Sequence, residues 1–112
     1  MSQGVIEIMK KVSFKLTKNE TEAIRLGLIM YLNLAQSGHG LAWRAQLFRG
    51  YQIYESKFRK TIFNNKKCFK FNLNMSEAET LLIMLTRLTQ HAGIYELTVI
   101  NKIIQEIDQQ TV

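Results

Sequence analysis

Two pairs of carboxylates, Glu20 with Glu22 and Glu77 with Glu79, recur 57 residues apart. Paired acids at this spacing can serve as general acid and base or hold a magnesium ion. Each pair also falls in the expected first turn of a helix, where the positive end of the dipole favours carboxylates. That structural role is sufficient, and no catalysis is assigned to them. His39 and His91 echo each other in the same way, yet neither has a second His, Cys or carboxylate at ligand spacing. They read as polar residues near helix C-termini, where a histidine can cap carbonyls. Cys68 is the only cysteine and no histidine accompanies it locally, so it is expected to be a small core residue. The stretch SGHG lacks the context of a phosphate-cradling loop, because it joins helix to helix. These absences point to a protein that is not an enzyme, with no cofactor and no metal site.

Charge is the feature that points to a partner. Net charge is +6, and the segment 42–70 alone carries +7. It holds Arg44, Arg49, Lys57, Arg59, Lys60, Lys66, Lys67 and Lys70 against the single acid Glu55. Seven of the eleven aromatics lie there too. Projected on a helix over 41–60, Trp43, Leu47, Phe48, Tyr51, Tyr54 and Phe58 share one arc, whereas Gln46, Arg49, Lys57 and Lys60 lie on another. Such segregation suits a core face and a basic outer face. Arg49, Lys57, Arg59, Lys60, Lys66, Lys67 and Lys70 are therefore the candidate contacts to DNA or RNA phosphates. The alternatives are a solubilising surface, or an interaction module whose basic surface meets an acidic protein. No helix-turn-helix, zinc-finger or RNP-type signature accompanies the charge.

The elements that must carry these residues are stated twice. VSFKLTKNETEAI and FKFNLNMSEAETL align without a gap, Phe14 on Phe71 and Leu16 on Leu73, and the match extends back to Val5 and Ile6 on Ile62 and Phe63. Alternation of Phe14 and Leu16, and of Phe69, Phe71 and Leu73, with polar residues is the period of a half-buried strand. Asn19 and Ser76 suit helix N-caps, Ser76 with Glu79 at capping-box spacing. Helices are expected over 20–36, 41–60, 77–90 and 95–109, with Leu97, Ile100, Ile103, Ile104 and Ile107 forming one stripe of the last. TIFNNKKCFKF predicts a hairpin at Asn64 and Asn65, and VIEIMKKVSF a weaker one. The expected fold is α+β: one domain over 1–112 built from duplicated strand–helix–helix units, about 5–60 and 61–109. A small antiparallel sheet of two to four strands carries four helices on one face.

The helix over 20–36 leaves little polar face beyond Arg25 and Asn33, so it is expected to meet either the core all round or a second copy in a homodimer. Residues 26–43 carry no charge, but Asn33, Gln36, Ser37, His39 and two glycines interrupt them, leaving an apolar stretch too short for a membrane span. A lone cysteine and no secretory leader pattern point to the cytoplasm.

Overall fold

The computed structural model describes residues 11–34 and 40–111. Strand β1 (Lys11–Thr17) turns Val12, Phe14 and Leu16 to one side, and β2 (Cys68–Asn74) does the same with Phe69, Phe71 and Leu73. All six are buried, while Lys11, Lys15, Thr17, Cys68, Lys70, Asn72 and Asn74 stay exposed. The strands pair antiparallel, with Phe14 opposite Phe71 and their rings stacked at 5.3 Å. A sheet with one dry and one wet face needs this alternation, and it is as the sequence predicts. Among the described residues the sheet has two strands.

Beyond the paired strands, the Lys18 N–H donates to the Lys67 carbonyl at 2.9 Å. By the alternation of an antiparallel ladder, Val12, Phe14 and Leu16 then exchange the cross-strand hydrogen bonds, and the backbone groups of Ser13, Lys15 and Thr17 point away from β2. At Ser13 that outer edge is closed by a side chain. The Gln110 carboxamide accepts from the Ser13 N–H at 2.9 Å and donates to the Ser13 carbonyl at 2.6 Å, imitating a neighbouring strand.

Each strand runs straight into a helix. Thr17 caps α1 (Lys18–Leu34): its Oγ1 accepts from the Glu20 N–H at 3.2 Å, and the Glu20 carboxylate accepts from the Thr17 N–H at 2.9 Å. Asn74 caps α3 (Met75–Leu88) in the same reciprocal way with Glu77, at 2.8 and 2.9 Å. The caps thus sit two residues ahead of Asn19 and Ser76, because Thr17 with Glu20 and Asn74 with Glu77 have the capping-box spacing. Glu22 and Glu79 lie beyond it and are exposed.

Helix α2 (Leu41–Ile53) continues through a π-helical turn, Tyr54–Phe58, and a 3-10 turn, Arg59–Phe63. The hairpin expected at Asn64 and Asn65 does not form. Phe58 is fully buried and stacks on Phe71 at 4.7 Å, and Thr61 Oγ1 donates to the Phe58 carbonyl, so the chain stays helical to Phe63. Tyr54 and Phe58, four residues apart across the π turn, both face the core. The weaker hairpin, and the backward match to Val5 and Ile6, involve residues outside those described.

In α4 (Ile94–Thr111), Ile100, Ile103 and Ile107 of the expected stripe are buried with Val99 beside them, Ile104 packs partly buried against the core, and Leu97 alone of the stripe is exposed. In α1, Ile24, Leu28 and Leu32 are buried, but Leu26, Ile29 and Met30 are exposed, Leu26 to 52%. The architecture is α+β, with four helices and a two-stranded antiparallel sheet among the described residues. Among the described residues no helix is long and apolar enough to cross a membrane.

Candidate nucleic-acid interface

The outer face of the ribbon is built in four cross-strand rows: Lys11 with Asn74, Ser13 with Asn72, Lys15 with Lys70, and Thr17 with Cys68. Parity alone explains the membership, since every residue on it alternates with a core residue. Cys68 is therefore exposed rather than in the core. Lys15 and Lys70 form a non-hydrogen-bonded pair, the geometry in which opposed side chains come closest. Like charges so placed destabilise a sheet by roughly 0.2–1 kcal/mol.

Neither strand contains an acid, and Lys18, Lys66 and Lys67 extend the basic run at the Thr17–Cys68 end. The nearest carboxylates in sequence, Glu20 and Glu77, are held at the two ends of the ribbon as helix caps. Glu20 is further tied to Lys102 Nζ at 3.1 and 3.3 Å. Its pKa is lowered, first by the Thr17 N–H and also by Lys102. A depressed carboxylate contributes stability above its unfolded-state pKa and loses it as pH falls through the folded value. Glu20→Gln keeps an oxygen acceptor but no charge. The difference in urea midpoint between wild type and this variant is thus expected to be largest near pH 7 and to shrink as pH falls through the range in which the folded-state carboxylate protonates.

Of the seven residues singled out from the sequence, the structure brings Lys66, Lys67 and Lys70 together on or beside this ribbon. Arg49 is exposed on α2 and lines a groove of about 250 Å³ with Gln52, Ser56 and Asn74, flanking the other end of β2. Lys57, Arg59 and Lys60 belong to the helical layer behind the sheet. Arg59 is paired with Glu55 at 2.8 Å, and that carboxylate raises the guanidinium pKa. The aromatics of this region are not confined to the core. Phe48 is 64% exposed because it lies about 200° around the helix from buried Gly50, and Phe63 is 86% exposed at the end of the 3-10 turn. Trp43 lies beneath the Arg87 guanidinium at 4.9 Å, and Arg87 in turn donates to Tyr31 Oη at 3.0 Å.

The charge window at 42–70 missed Lys11, Lys15, Lys18 and Asn72. Two signals could have found them: strand parity in KVSFKLT, and the antiparallel pairing of the two echoed segments. His91 is exposed in the turn after α3, and His39 lies outside the described residues. No family model, curated protein or solved structure matches the chain. The functional reading therefore rests on the ribbon.

Proposed function

We propose that the protein binds duplex DNA by laying the exposed face of the β1–β2 ribbon in the major groove. The observation that carries this reading is the Lys15–Lys70 pair at the centre of an exposed face that carries no carboxylate among the described residues. An uncompensated like-charge pair is relieved by a polyanion. The major groove of B-form DNA, about 12 Å wide, admits a two-stranded ribbon, whose strands lie about 4.8 Å apart. A-form RNA offers only a narrow, deep major groove. Single-strand binders stack bases on aromatics, but Phe14, Phe69 and Phe71 of the ribbon are all turned inward. The echo of the two segments supports a fold duplicated within one chain, with Phe14 and Phe71 at an approximate twofold.

Fluorescence anisotropy with a labelled mixed-sequence duplex tests the reading. For four phosphate contacts, affinity is expected to fall about 10²-fold between 50 and 200 mM salt. A salt-independent affinity, or tighter binding to single strands, would count against it.

A second reading, association of two copies, is favoured by one observation. Leu26 and Met30 are exposed and line a groove of about 240 Å³ with Gly27, Leu88, Ala92 and Ile100. Sedimentation is expected to show a dimer that Leu26→Lys with Met30→Lys converts to monomer; a wild-type monomer at high concentration would exclude this reading.

A further inference from the structure

We propose that the ribbon reads a non-palindromic DNA site as a single chain, with Lys15 and Asn72 contacting different bases in the two half-sites. This inference rests on the DNA-binding reading above and adds to it the symmetry of the site. Palindromic sites mirror an exact twofold in the protein. In this chain the strand register sets Phe14 against Phe71, and the echoed segments align the same two residues, so a twofold passes between them. That axis makes Lys15 equivalent to Asn72, Ser13 to Lys70, Lys11 to Cys68 and Thr17 to Asn74. All four outward positions differ in chemistry between the strands.

The differences are of the kind that bases distinguish. A lysine donates to guanine O6 and N7, whereas an asparagine carboxamide pairs bidentately with adenine N6 and N7. Asn72 is exposed, and its amide makes no hydrogen bond among the described residues. Asn74 is not equally available, because its Oδ1 accepts from the Glu77 N–H at 2.8 Å. The flanks differ as well. The helical layer of the first unit adds Arg44, Arg49, Lys57 and Lys60, while α4 of the second carries Glu96, Glu106 and Asp108 with Lys102. Even the sheet edges are unequal. Gln110 clamps Ser13, and the residue 57 positions before Gln110 is the buried Ile53, which has no carboxamide to offer.

Selection from a pool of random duplexes with the wild-type chain, followed by sequencing and by binding stoichiometry on the selected site, tests the proposal. The expected result is one chain on an asymmetric site with adenine fixed in one half and guanine in the other. Asn72→Ala is expected to lose about tenfold or more in preference for that adenine over the other three bases. Exchanging the two readers, Lys15→Asn with Asn72→Lys, is expected to exchange the preferred bases. Both side chains are exposed, so circular dichroism should show an intact fold. A palindromic selected site, or salt-dependent binding without sequence enrichment, overturns this proposal and leaves DNA binding standing. Failure to bind any duplex removes the DNA-binding reading, and this proposal with it.

Discussion

Lys15→Glu combined with Lys70→Glu is expected to weaken duplex binding on the order of 10³-fold at 0.1 M salt, since two attractive contacts become repulsive at the centre of the face. Lys57→Glu with Lys60→Glu changes as much charge on the helical layer behind the sheet and is expected to cost less than tenfold. The single change Lys70→Glu separates binding from stability. It converts an opposed like-charge pair into an attractive one, so unfolding free energy should rise by roughly 0.2–1 kcal/mol while binding falls. Titrations and urea melts of the three variants read all of this. If the helical-layer variant lost binding and the ribbon variant kept it, the interface would lie elsewhere.

Phe71→Ala is expected to have the largest effect on the fold, about 3–5 kcal/mol by large-to-small truncation of a buried aromatic. Phe71 stacks on Phe14 at 5.3 Å and on Phe58 at 4.7 Å, so its removal opens a cavity that unlinks the sheet from the π turn. Against a total of about 5–15 kcal/mol for a domain, such a loss leaves a marginal protein. A urea midpoint close to wild type would show that Phe14 and Phe58 close the gap. Phe71→Leu, which retains most of the volume, should recover part of the loss.

The strands were legible because their alternation is local: seven residues each in KVSFKLT and CFKFNLN decide which face is wet. The helices were legible from their apolar spacing, but their first residues were not, because Thr17 and Asn74 close strands as well as open helices. The hairpin at Asn64 was misread because the burial of Phe58, and through it the helical path to Phe63, depends on Phe71 from another element. Cys68 and Phe48 were misplaced for related reasons, strand parity in one case and the phase set by Gly50 packing under Met84 in the other. The candidate interface was half legible. A charge count along the chain finds Lys66, Lys67 and Lys70, but Lys15 joins them only through pairing across 55 residues, and no window along the chain contains both.

The amide clamp of Gln110 on Ser13 also sets a schedule for the protein's birth. One edge of β1 waits for residues 68–74 and the other for residue 110, so the first strand emerges from the ribosome with neither neighbour yet made. The capped helices can form as they are synthesised, but both edges of β1 are satisfied only once residue 110 is out. For a mostly helical protein, folding is expected to be slow, because its central pairing is among its most distant contacts.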